Sequence, residues 1–219
     1  MTKSNWETLR PRTSYHFDPF KHDPAYDAMR YVGRFTGNWS DELNKAIENS
    51  KAITWRNRNP FDGTSKDIQS EEYDLEVSGA GADLVLTNLE YELLPVFQRM
   101  TDALHLKQGK TQSRVHVQFP GQVWNLHIDK LEKFYPDDPH KVYRFMVMLN
   151  DYEPGHFIQY GNFVHTGYRA GEIYSFDWYN VPHCTANAGL VPRCTLLITG
   201  AATDETLKLF STYNNEIPV

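Results

Sequence analysis

The sequence predicts a mainly β protein with N-terminal helices, its second half a β-sandwich or jelly-roll barrel. Three observations carry this. After Lys110 short apolar-rich runs recur, separated by Gly, Pro, Asn and Asp. Before that point the clear signals have helical period. The chain, at 219 residues, suits one domain with an elaborated end. The expected division is 1–110 as a helical elaboration, 111–200 as the jelly-roll core and 201–219 as a C-terminal segment.

In chain order, Ser40-Asp41-Glu42-Leu43 caps a helix that continues through Ala46 and Ile47 to about Ala52. Gly79-Ala80-Gly81 lacks a following Lys-Ser/Thr, so it reads as a turn and not a phosphate loop. From Asn88 to Leu106, Leu89, Leu93, Val96, Phe97, Met100, Ala103 and Leu104 form one apolar stripe. Pro95 places the regular start of that helix near Leu94. Strands are expected at Arg114 to Phe119, Tyr143 to Leu149, Phe157 to Tyr160, Glu172 to Phe176 and Arg193 to Thr199.

Composition excludes several classes. With 12 Phe, 13 Tyr and 5 Trp the chain has too much to bury to be disordered as a whole. A formal charge of −6 argues against nucleic acid as the main partner, because phosphate binding needs a basic face. Two cysteines, Cys184 and Cys194, do not make a disulfide framework; small apolar filler is the expected role. There is no signal-peptide run and no stretch of 18 apolar residues. The expectation is a soluble, cytoplasmic protein without a membrane partner. Its oligomeric state is not encoded in any visible pattern.

Chemistry concentrates in His127 and Asp129, within Leu126-His-Ile-Asp-Lys130, and in His183, far downstream in Val181-Pro-His-Cys184. In an extended segment residues i and i+2 share a face, so the first two can reach one ion. Two imidazoles and one carboxylate on one side of an ion leave the opposite positions open, the arrangement of non-haem Fe(II) oxygenases. Ten residues after His183 comes Arg193-x-Thr195. A guanidinium fork matches a carboxylate, and a hydroxyl two residues on points the same way. Metal triad and fork together call for a dicarboxylate, one end on the ion and the other on the fork.

This set of residues resembles the signature of the Fe(II)/2-oxoglutarate-dependent oxygenases, and is similar to their aspartyl/asparaginyl β-hydroxylase and proline-hydroxylase branch. Arg114 to Asp129, and Ala170-Gly-Glu-Ile-Tyr-Ser-Phe-Asp177 leading to Pro182-His183 and Asn187, carry the likeness further. It covers about residues 110–200. The resemblance implies a double-stranded β-helix, with Fe(II) on His127, Asp129 and His183. It implies 2-oxoglutarate with its far carboxylate on Arg193 and Thr195, O2 as oxidant, and release of succinate and CO2. The substrate would be an amino acid, free or in a peptide or protein. No catalytic residue beyond the metal ligands is implied. Where the branch carries Arg-x-His-x-Pro, only Arg144 matches here, with Met146 at the His position.

Candidates for substrate contact or for support of the ligands are His116, Gln118, Trp124, Arg144, Met146 and Asn187. His116 and Gln118 share one strand face with Arg114. Trp124 and Met146 read as core first and as pocket wall second. His16, His22, His105, His140, His156 and His165 read as hydrogen-bonded scaffold. Two rival readings remain open: a cupin-like metal enzyme that does not use 2-oxoglutarate, and a non-catalytic jelly-roll binding module.

Overall fold

The computed structural model describes residues 29–48, 94–161, 163–179, 181–211 and 215–219. Among the described residues ten strands form two facing sheets. The strands are β1 (Met29–Thr36), β2 (Thr111–Gln118), β3 (Val123–His127), β4 (Val142–Met148), β5 (His156–Tyr160), β6 (Phe163–His165), β7 (Glu172–Phe176), β8 (His183–Asn187), β9 (Arg193–Ala201) and β10 (Glu216–Pro218). The major sheet has the order β10-β1-β7-β4-β9-β2 and the minor sheet β3-β8-β5-β6. Pairing is antiparallel except between β1 and β10.

The major sheet is buried on both faces, so its strands read as near-continuous apolar runs. On the outer face Phe145, Val147, Leu196, Ile198, Val115 and Val117 pack with Ala46 of α1 (Ser40–Glu48) and with Val96, Phe97 and Met100 of α2 (Pro95–Asp102). On the inner face Met146 and Met148 alternate with these and pack with Ile158, Tyr160, Phe176 and Trp178. Arg144 belongs to that inner row. Alternation along one strand thus sorts β4 into a helix-facing half and a cavity-facing half.

Helix α2 begins at Pro95, where the missing N–H costs nothing. At the start of α1 it is Asn38, not Ser40, that acts as the capping acceptor: its Oδ1 takes the Ser40 backbone N–H at 3.0 Å and the Ser40 hydroxyl at 2.8 Å. The Gly79-Ala80-Gly81 turn, His16, His22 and the first turn of the Asn88 stripe lie outside the described residues.

The part of the chain before residue 110 also contributes a strand. Met29–Thr36 joins the major sheet between β7 and β10. A register shift between Tyr31 and Gly33 breaks its alternation, which hides it from a period-two reading. At the β6–β7 turn Gly171 has φ +88° and donates its N–H to Met148 O; a Cβ there would collide with the Phe35 carbonyl. No helix among the described residues is long and apolar enough to cross a membrane.

Candidate metal centre

Strands β3 and β8 are neighbours, and their register sets His127 directly opposite His183. The two rings lie 4.3 Å apart. The strand ends at His127, so Asp129 is placed by a loop contact and not by strand alternation: its N–H donates to Trp178 O at 3.2 Å. Asp129 Oδ1 lies 3.7 Å from His127 Nε2, and Oδ2 lies 3.6 Å from His183 Nε2. Ligand-capable atoms of the three residues all fall within 4.8 Å of one another. Among the described residues this is the one such group.

Hydrogen bonding prepares the donors. His183 Nδ1 lies 3.1 Å from Val181 O, a geometry that puts its proton on Nδ1 and leaves Nε2 bare toward Asp129. Tyr160 stacks on the same ring at 5.2 Å. Burial and the neighbouring His127 push the His183 pKa down to about 3, against the pull of Asp129 and Val181 O. Burial alone would raise the Asp129 pKa. Arg144 above all, then His183 and His127, outweigh it and hold the carboxyl well below the usual carboxylate range. His183 therefore presents a neutral imidazole and Asp129 an ionised carboxylate at neutral pH, the protonation states that metal ligation needs. The donor set, its burial and its tautomers fit a divalent cation.

The ligands open on a cavity of about 60 Å³, well above the roughly 10–15 Å³ that one water needs. His127, Asp129 and His183 line it together with Arg114, His116, Trp124, Arg144, Met146, Arg193 and Thr195. Arg193 is buried, and its Nε donates to Gln118 Oε1 at 2.8 Å. The Gln118 amide in turn donates to Thr185 Oγ1 at 3.1 Å, which fixes its orientation and links the two sheets. Thr195 pairs with His116 on one side and Met148 on the other. Arg144 Nη1 donates to Asp129 Oδ2 at 2.6 Å, while its buried Nε has no hydrogen-bond partner among the described residues. Burial and the guanidiniums of Arg114 and Arg144 lower the Lys133 pKa, a sign of positive potential around the cavity.

Two sequence candidates do not line the cavity: Gln118, which acts through Arg193 and Thr185, and Asn187. The Asn187 amide donates to Gln118 O and Val191 O at 2.8 Å, and its Oδ1 accepts from Gly189 N–H at 2.9 Å. It pins the β8–β9 turn. Tyr160, Phe176, Thr185 and Leu197 line the cavity and were missed. For Tyr160 the signal was present, since it ends a strand whose alternate residues Ile158 and His156 are also buried. His156 is a structural pin, with Nδ1 3.1 Å from Tyr168 Oη and Nε2 3.3 Å from Val191 O. Cys184 and Cys194 are free thiols on strands of different sheets, and burial pushes Cys194 up to about 12.

No protein-family model matches the chain. No curated protein matches it either. Solved structures do. A prolyl-4-hydroxylase from Pseudomonas putida aligns with a TM-score of 0.50 at 16% identity, over 82% of this chain and 96% of that one. A predicted oxalate decarboxylase from Thermotoga maritima gives 0.35 at 13% identity, over 56% and 83%. A cupin protein from Bacteroides fragilis gives 0.34 at 13% identity, over 56% and 80%. At these identities the likeness concerns architecture. With two facing sheets of the observed order, the chain has the cupin-like jelly-roll fold, a double-stranded β-helix braced by helices.

Proposed function

We propose that this protein is an Fe(II)- and 2-oxoglutarate-dependent oxygenase that hydroxylates an unactivated C–H bond of an amino acid, free or within a peptide or protein. One observation carries the reading: two imidazole Nε2 atoms and a carboxylate meet in a buried cavity that Arg193 and Thr195 also line.

His127, Asp129 and His183 would hold the iron. When bound, iron with 2-oxoglutarate and O2 supplies the oxidising power, and succinate and CO2 leave. The chain's own residues bind, orient and exclude water. Val181 O keeps the His183 proton on the nitrogen turned away from the metal. Arg144 occupies Asp129 Oδ2 and so fixes the carboxylate plane. Gln118 takes Arg193 Nε and thereby sets the guanidinium plane that would meet the far carboxylate of the co-substrate. Thr195, two residues on, offers a hydroxyl to the same cavity. Tyr160, Phe176, Met146 and Leu197 give it dry walls. The positive potential from Arg114, Arg144 and Arg193 favours anionic ligands. The prolyl-4-hydroxylase likeness agrees with this reading at the level of fold.

The test is anaerobic. Fe(II)-loaded protein should gain a weak visible charge-transfer band on addition of 2-oxoglutarate. With O2 admitted, succinate should appear together with a product heavier by one oxygen when amino acids and peptides are screened. Bound metal with no band would favour a cupin-type enzyme that does not use 2-oxoglutarate. No metal dependence of any kind would favour a binding module.

A further inference from the structure

The metal centre contains one hydrogen bond that a bound cation could not share. Trp124 Nε1 donates to His127 Nε2 at 3.0 Å, and that nitrogen is the one turned toward Asp129. Neutral imidazole has a single lone pair at its unprotonated nitrogen. The pair is shared with the indole proton or given to a metal. The indole N–H also aims the positive end of its dipole at the place a cation would occupy, so both cannot hold their positions.

Trp124 is placed so that it can yield. It is half-buried on the cavity wall. It pairs with Thr185 on β8, and the β3–β8 ladder shifts register between Trp124 and His127, so the donor and the acceptor are separated by an irregular stretch of strand. Trp39 and Trp178 differ: their indoles are buried on the backbone carbonyls of Leu149 and Val142, each at 2.8 Å.

We propose that Trp124 is a latch on the metal centre: its indole N–H and the metal ion compete for His127 Nε2, so that metal entry and displacement of Trp124 are one event. The latch rests on the metal-centre reading above, but needs no oxygen chemistry; any divalent cation that binds the triad must open it. In the metal-free protein the indole N–H occupies the His127 Nε2 lone pair.

The full-length protein, 15N-labelled and metal-free, is titrated with zinc and followed through its indole N–H resonances. The Trp124 resonance, assigned by its loss in Trp124→Phe, should shift as zinc saturates the site. Trp39, fixed on Leu149 O, should stay. Chelator competition should show Trp124→Phe binding zinc about 2- to 10-fold tighter than the unaltered protein, the equivalent of one hydrogen bond no longer broken. A Trp124 resonance that stays put in zinc-saturated protein overturns the latch, as does a Phe variant that binds no tighter. If neither protein binds zinc, the metal centre itself falls and takes the latch with it. Zinc binding beside a static indole removes the latch alone.

Discussion

Arg144 Nη1 sits 2.6 Å from Asp129 Oδ2, with the guanidinium almost fully buried and its Nε without a hydrogen-bond partner among the described residues. A charge pair in this position suits a metal site more than it adds stability. The arginine keeps the carboxylate ionised and offsets its charge when no cation is present.

Substituting Arg144→Met should therefore strand a buried carboxylate. The expected cost in the metal-free protein is about 3–5 kcal/mol. Zinc should recover part of that loss by replacing the missing positive charge. Thermal unfolding with and without zinc checks this, and an equal zinc effect in both proteins would contradict it.

Asp129→Ala should reduce metal content after purification to background, since two imidazoles alone leave an incomplete ligand set. Elemental analysis of the purified variant is the readout. A variant that retains metal and full turnover would remove Asp129 from the centre.

At the clamp, Gln118→Glu sets a carboxylate where an amide oxygen now accepts from Arg193 Nε. The new charge competes with an anionic ligand for the guanidinium. The requirement for 2-oxoglutarate should rise at least tenfold, about 1.4 kcal/mol, with zinc affinity unchanged. Arg193→Ala should act in the same direction and more steeply. A co-substrate requirement unmoved in both would reassign the anion site.

Acid stability is governed in part by His156 and His165. Burial, chiefly, lowers the pKa of each in the folded chain. The unfolded chain then binds more protons than the folded one below the ordinary histidine value of about 6.5. Their contribution is complete above that pH and is lost as pH falls through it. His165 Nε2 is buried without a hydrogen-bond partner among the described residues, its ring stacked on Tyr168 and edge-on to Tyr174. His165→Phe keeps the ring contacts and removes the titration. It should flatten the loss of stability between about pH 6.5 and 5 without loss at neutral pH. Urea denaturation across that range decides; an unchanged slope would assign the effect elsewhere.

Much of the architecture was legible because the evidence for it is local. Pro95 marks the start of α2, and β4 and β9 announce themselves as apolar runs between turn residues. His127, Asp129 and His183 could be picked out by residue type and spacing, and the structure brings them together. The geometry between Trp124 and His127 could not be read, because a register shift puts two residues three apart onto one cavity. Strict alternation predicts opposite faces for them. The same defect of period concealed β1. The ring of Tyr160 against His183 and the amide of Gln118 against Arg193 are contacts between distant segments, which no local pattern encodes. Asn187 looked like support for the distal histidine because it is close in sequence. Its side chain instead serves the turn that follows.

His127 and His183 face each other across a single antiparallel ladder. Slippage of one strand by one residue would turn one imidazole to the outer surface and dismantle the ligand set at a stroke. An ion captured by both rings thus acts as a rivet through the seam, and holds only when the seam is correctly sewn. Metal retention in a freshly refolded sample is accordingly an assay of strand alignment, available before any catalysis is measured.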